Sequence, residues 1–576
     1  MRKLLPLLLL FSLACTLFTP RPTPAPTETA APLPTATPRV VTATPLPTAT
    51  PLPTVAFAPA PARVYHLRLG DVTLHPGPPL YSGDIVSLEI DAANADPAWQ
   101  DAPVSLFVGS REAQPIAAVQ FGRFGIGGRA QATFTWAWDT QGLEGPQTLT
   151  VTVGRADESP PLDVLTLTVD LLPADRRPLP EALARWARSE SACCVFHYLT
   201  HTAAARDLAL IEAEADTAMV HVENLLGVKR REKIDFTLLS RLLGHGGFAG
   251  DEISMTYLDR NPAGNNLSTV FAHEITHMLD RQIGDQRPTF MTEGLAVYAA
   301  GGHFKPEDLD QRAAALLALG GYIPLDQLAE DFYPAQHEIG YLEAGAFVKY
   351  LVDTYGWERF KAFYASFEES PSQRQMLASA VQTHFDRRLN DIEADWLKHL
   401  RSFSPSPTQV ADLRLTIMLY DTLRRYQQAD DPSAYFLTAW LPDGSQARRR
   451  GITADFVRRP TAPENIALEA LLTDAQRALV AGEFAAVETL LASVNRVLDA
   501  NNLFNDPLAA DYLQIVINLS AQGYEVQTIT LDHRTATVTA IRAWPELETF
   551  TLARTATGWG FAPAQEIVLE TVYNLQ

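Results

Sequence analysis

His273, Glu274 and His277 stand in the run His-Glu-Ile-Thr-His. On a helix, residues four apart lie one turn apart on the same face. Both imidazoles can then reach one Zn²⁺ at about 2.0–2.1 Å. Glu274, one step round from His273, falls beside such an ion without being forced to bind it, and so can take a proton from metal-activated water. The flanking sequence predicts a buried helix from about Leu267: Val270, Phe271, Ile275, Met278 and Leu279 supply apolar surface, and Asn265, Asn266 and Ser268 offer capping groups. A catalytic zinc site needs a third protein ligand and an open position. Glu293, 16 positions after His277, is the candidate. Gly284 and Pro288 lie between them and can turn the chain back, so that a second helix presents Glu293 to the ion.

The pattern His273-Glu274-x-x-His277 followed by Pro288-x-Phe290-Met291-x-Glu293-Gly294-x-Ala296 resembles the gluzincin metallopeptidases, and most of all the peptidase MA-like proteins of bacteria. The resemblance covers about residues 193–403. It implies one Zn²⁺ held by His273, His277 and Glu293, with Glu274 as general base. The spacing to Glu293 is shorter than in thermolysin or the large aminopeptidases, and no third histidine follows in a metzincin pattern. The resemblance further implies an upper lobe built from strands at Cys194–Leu199, Lys233–Leu239 and Glu252–Leu258. The last of these would run beside the cleft, able to pair with an extended peptide, and Gly244–Gly250 would form a flexible loop at the rim. Within Gly340-Tyr341-Leu342-Glu343-Ala344-Gly345, Tyr341 is the candidate for a phenol that stabilises the tetrahedral oxyanion, although its spacing to Gly345 is one longer than the aminopeptidase Tyr-x-x-Gly. There is no Gly-x-Met-Glu-Asn-like motif to bind a peptide amino terminus, so endopeptidase action on a peptide or protein is the expectation. The alternative is a binding or scaffold protein whose peptidase-like domain does not turn over. The intact Glu274 argues against it.

Other chemistry-bearing residues read more plainly. His197 and His201 are also four apart, but on a strand end that spacing separates side chains by about 13 Å, so no metal is assigned to them. Cys193-Cys194 reads as two small apolar residues rather than as a vicinal disulfide, and Arg448-Arg449-Arg450 as a solvated loop.

These residues must be positioned by a long, multidomain chain. Its 576 residues, 47% hydrophobic and 20% charged, suffice for three or four domains and exclude disorder throughout. A formal net charge of -21 repels phosphate backbones and excludes nucleic acid as a partner. Three cysteines are too few for a disulfide framework or a four-cysteine zinc site. Residues 1–18 read as a secretory signal: Arg2 and Lys3 precede the apolar run Leu4–Leu13, and Ser12-Leu13-Ala14-Cys15 resembles a lipobox, with Cys15 as the lipid-anchored residue. Residues 19–63 form a Pro/Thr-rich linker in which Pro-Leu-Pro-Thr-Ala-Thr-Pro occurs at 32–38 and 45–51. About 40 such residues at roughly 3 Å each would reach ~120 Å. The protein is thus expected outside the cytoplasm, tethered to a membrane if Cys15 is lipidated. Alternating strands over 64–173 predict an immunoglobulin-like β-sandwich. An α+β, zincin-like metallopeptidase domain is expected over 174–404, with a single long helix at Ala203–Leu226. A further α+β domain is expected over 405–576. There, Ile466–Ala500 predicts two antiparallel helices broken at Gly482, and the short strands that follow compare in shape with a cystatin-like cone.

Overall fold

The computed structural model describes residues 66–93, 95–122, 129–155, 160–244, 246–264, 266–435, 439–556 and 558–561. The expected signal region, Cys15, the linker and the cap residue Asn265 lie outside them. Helix and strand are mixed over several sheets, in a multidomain α+β arrangement. No helix among the described residues is long and apolar enough to cross a membrane.

The first sheets come from strands that alternate, as Ala130–Asp139 does: every second residue from Ala130 to Trp138 is buried. Strands 72–75, 85–92 and 130–139 form one sheet, and strands 80–81, 163–172, 145–153, 103–108 and 117–120 a second. Leu88, Phe134 and Trp138 from the first share a core with Leu106, Leu149 and Val151 from the second.

A five-stranded sheet follows, from β1 (Trp186–Glu190), β2 (Cys194–Leu199), β3 (Ile234–Leu239), β4 (Gly247–Ala249) and β5 (Ile253–Thr256), in the order β4-β5-β3-β2-β1. The inner pairs β2–β3 and β3–β5 are parallel, and the outer strands β1 and β4 are antiparallel to their neighbours. The cleft-side edge is therefore β4, drawn from the segment expected as a loop, and not the 252–258 strand. Gly247-Phe248-Ala249 pairs with Ile253–Met255 through register rather than propensity. The expected single helix over 203–226 is interrupted at Asp207, whose carboxylate is engaged by Arg206 and by the Tyr257 hydroxyl. A short turn at Ala203–Arg206 precedes α1 (Leu208–Leu226), which buries Ile211, Ala215, Met219, Val222 and Leu226. Cys193 and Cys194 are joined in a vicinal disulfide, contrary to the expectation of free thiols. The turn before β2 is held by Asp216, which accepts from the Cys193 backbone N–H at 2.8 Å and from the Ser191 hydroxyl at 2.7 Å.

The helices that follow carry the candidate site residues: α2 (Leu267–Leu279), α3 (Thr289–Ala300) and α4 (His337–Tyr355). The side chain of Asn266 caps α2 by accepting from the N–H groups of Ser268 and Thr269. Helices α3 and α4 pack backbone to backbone through glycine. A Cβ on Gly294 would lie 2.6 Å from the Ala344 carbonyl oxygen, and one on Gly345 would lie 2.4 Å from Val297 Cγ1.

The last part consists of α5 (Pro407–Asp430), α6 (Gly444–Arg450), α7 (Pro463–Ala481), helices at Phe484–Asp499 and Pro507–Ser520, and an antiparallel meander of strands 525–531, 535–541, 547–555 and 558–561. Gly482, at φ 77°, ends α7 before the next helix begins. The Arg448–Arg450 run is the last turn of α6 and not a solvated loop. Arg448 pairs with Glu252 at 2.8 Å and with the Thr237 hydroxyl at 2.6 Å, docking α6 onto the central sheet.

Candidate metal centre

His273 and His277 project from one face of α2, and Glu293 comes from the second turn of α3. His273 Nε2 lies 3.1 Å from His277 Nε2. Glu293 Oε2 lies 3.3 Å from each of these nitrogens. Two donors held at about 2.0–2.1 Å by a tetrahedral zinc are about 3.3–3.4 Å apart, so this triangle has the dimensions the ion requires. The donor set, two imidazoles and a carboxylate, suits zinc.

The electrostatics also call for one positive charge among these atoms. Burial alone would raise the Glu293 carboxyl, but the His277 charge and hydrogen bonds from both imidazoles outweigh it and hold Glu293 well below the usual carboxylate range. Burial lowers His273 to about 4. His277 goes the other way: burial is overcome by the Glu293 charge, which lifts it to about 9. Without metal, one proton on His277 serves as the cation of the triad.

Glu274 faces the same cleft and is 5% exposed. Burial pushes its carboxyl up to about 7, against the His277 charge. Its side chain lies on the edge strand: a Cβ on Gly247 would fall 2.7 Å from Glu274 Cγ and Oε1. The edge strand, Glu274 and the triad of His273, His277 and Glu293 thus share one cleft of about 450 Å³.

The relation between α2 and α3 is fixed from behind. Asp280, fully buried at the end of α2, accepts from Arg287 at 2.6 Å and from the Tyr364 hydroxyl at 2.6 Å. Arg287 also donates to the His277 carbonyl at 3.3 Å. The loop that delivers Glu293 is therefore tied to the helix that delivers the histidines.

Tyr341 lines the cleft but is 4% exposed, its ring stacked on His303 at 4.3 Å. His303 in turn pairs with the buried Glu338 at 3.0 Å. The Tyr341 ring also lies 6.0 Å from the His273 ring, and a second phenol stands beside the donors: the Tyr333 hydroxyl donates to Glu293 Oε1 at 3.1 Å. Sequence reasoning missed Tyr333 because it sits in a loop before α4 with no motif around it. Leu441, from the segment before α6, also lines the cleft and likewise carried no signal. His197 bonds Asp235 at 2.7 Å on the strand face, and His201 sits in a turn at φ 61°, apart from the centre.

No protein-family model matches the chain, and no curated protein matches it. Among solved structures the chain has a slight similarity to Salmonella alpha-2-macroglobulin reacted with methylamine, with 13% identity and a TM-score of 0.10, over 84% of this chain and 29% of that one. The chain therefore spans under a third of that protein's length, and the likeness carries no argument about fold or activity.

Proposed function

We propose that the chain is a zinc-dependent peptidase of gluzincin type acting outside the cytoplasm. Its metal ligands are His273, His277 and Glu293, and its general base is Glu274. The observation that carries this reading is the triangle of donor atoms with 3.1 and 3.3 Å sides, opening on a cleft that also holds a buried carboxyl near neutrality. Zinc bound by these donors supplies a Lewis acid that acidifies water and polarises the scissile carbonyl. Glu274 takes the proton of the attacking water and hands it to the leaving amine nitrogen. Burial raises the Glu274 carboxyl in the metal-free chain, and a cation held by the three donors would favour the carboxylate form that accepts the proton. A phenol hydroxyl donates to the oxygen on which charge develops, a contribution of about 2–4 kcal/mol. Tyr333 is better placed for this than Tyr341, because its hydroxyl already reaches the carboxylate of the third ligand.

Endopeptidase action is favoured by the cleft lining. Glu274 and Glu293 are its only carboxylates among the described residues, and both are committed, which leaves none to bind a peptide amino terminus. The extracytoplasmic placement draws on the signal-like start of the sequence and on the Cys193–Cys194 disulfide, a bond that persists in oxidising compartments. The sandwich reads as an immunoglobulin-like spacer and the terminal helices and meander as a cone-like domain.

The test is metal analysis of the purified chain together with casein hydrolysis by the parent and by Glu274→Gln. One zinc per chain in both, with hydrolysis by the parent alone, is the expected result. A folded, metal-free, inactive parent would return the chain to the binding or scaffold class.

A further inference from the structure

A second cavity, of about 440 Å³, lies along α2, one helical turn before the candidate metal centre. Val270 and Leu267 of α2 and Met255 of β5 line one side, and Phe304 and Val480 of α7 the other. Cavity and cleft meet at the edge strand. Gly247 lies against Glu274 in the cleft, and the preceding Gly246 lies against Val270, with 3.6 Å from a Cβ position to Val270 Cγ2. The edge strand and the bend residue that precedes it, Gly246, therefore follow α2 from the cleft to the cavity.

The lining is mainly apolar. Its lysine, Lys305, is committed to Asp412 at 2.7 Å. Val480 is 64% exposed at this spot, although α7 buries its other large apolar side chains. A mainly apolar wall adjoining a cleft, with an exposed valine on its rim, has the character of a ligand site.

We propose that this cavity is a substrate subsite that takes a bulky apolar side chain of an extended peptide, and that the C-terminal domain completes it through Val480. The inference rests on the peptidase reading. A helical turn advances about 5.4 Å and an extended chain about 3.3 Å per residue. The subsite therefore accepts the side chain about two residues from the bond held at Glu274. Specificity in this chain is set by a helix outside the metallopeptidase domain, and the C-terminal domain is part of the binding cleft.

The experiment uses the full chain and a positional-scanning hexapeptide library, read as cleavage by the parent and as binding to Glu274→Gln. Burial of one Leu, Met or Phe side chain corresponds to a preference of about tenfold or more over Gly at that single position. Val480→Lys is expected to remove the preference, Val480→Ile to keep it, and Val220→Lys, exposed on α1, to leave it as in the parent. Cleavage without any positional apolar preference, or a preference that survives Val480→Lys, overturns the subsite while the peptidase reading stands. Peptide binding with a Val480-dependent preference but no cleavage upholds the subsite and removes the peptidase reading. Neither binding nor cleavage removes both.

Discussion

Glu274 rests on Gly247 so closely that a single methyl group on the glycine would fall 2.7 Å from the Glu274 carboxylate. The edge strand is therefore also the wall that sets where the base sits. Gly247 does not have a positive φ, so alanine is tolerated by the backbone and acts only through this contact. Gly247→Ala should displace the carboxylate and lower kcat/KM about ten- to a hundredfold, the cost of a misplaced catalytic group. Zinc content should be unchanged. Steady-state kinetics beside metal analysis checks this. Full activity in the alanine variant would mean that Glu274 is not the base.

The raised carboxyl of Glu274 has a consequence for stability in the metal-free chain. Its folded value, about 7, lies above the ordinary value of 4.5. A carboxyl shifted this way favours the folded state in its neutral form. Stability is lost as pH rises from about 4.5 to 7 and the full cost is present above that window. Glu274→Gln removes the charge, so the metal-free variant should be more stable than the parent at pH 8 by up to about 3 kcal/mol. At pH 4 the two should match. Urea denaturation in the presence of chelator at both pH values provides the comparison, and equal stability at pH 8 would contradict the burial argument.

The two tyrosines of the cleft separate by geometry. Tyr333 donates to Glu293 at 3.1 Å, whereas the Tyr341 ring stacks on His303 at 4.3 Å. Tyr333→Phe should lower kcat about 10²–10³-fold with little change in KM, as expected when one oxyanion donor is lost. Tyr341→Phe should leave kcat within about threefold of the parent, since its stacking face survives. A large kcat loss confined to Tyr341→Phe would favour Tyr341, the residue the resemblance implies, over Tyr333.

How much of this was readable in advance depends on the range of the interactions. The helix of the histidine pair was legible because its cap, Asn266, and its apolar residues Phe271, Ile275 and Leu279 are local signals. The approach of Glu293 followed from a turn between two short helices. The edge strand was not legible: Gly247-Phe248-Ala249 has little strand propensity and owes its shape to pairing with Ile253–Met255. Tyr333 and Leu441 reach the cleft only through tertiary packing. The Cys193–Cys194 bond rests on a turn fixed by Asp216, more than 20 residues on in the chain. Arg448 reads as surface because its partner, Glu252, lies nearly 200 residues away in the chain.

Metal removal should act on stability as well as on turnover. Glu293 is 7% exposed and its charge is balanced by His277 when no ion is present. A ligand that binds only the folded chain stabilises it by RT ln(1 + [L]/Kd), about 4 kcal/mol at a thousandfold excess over Kd. Chelation should therefore lower Tm and abolish hydrolysis together, and zinc should restore both. Glu293→Ala should show no zinc-dependent rise in Tm, because two imidazoles alone leave the ion undercoordinated. Thermal scans with and without zinc decide this, and a zinc-induced shift of the parent's size in Glu293→Ala would remove Glu293 from the ligand set.

Helix α7 is tied to the loop after β5 by a buried charge pair. Arg260, from the loop after β5, meets Glu469 of α7 at 2.5 Å, with both side chains fully buried. Arg260 also donates to the Val526 carbonyl, and the Tyr426 hydroxyl donates to Glu469 at 2.9 Å. Removing Glu469 leaves the buried Arg260 with only the Glu525 carboxylate, at 3.5 Å, so Glu469→Ala should cost about 3 kcal/mol. Replacing both, as Arg260→Met with Glu469→Leu, should cost much less than the sum of the single changes, because no orphaned charge remains. Urea denaturation of the two single variants and the double variant gives the coupling. Since Glu469 shares α7 with Val480, loosening this anchor should also weaken the apolar subsite preference, and in Glu469→Ala that loss should appear before hydrolysis itself is lost. Additive single and double effects would show that the pair does not hold α7 against the catalytic half.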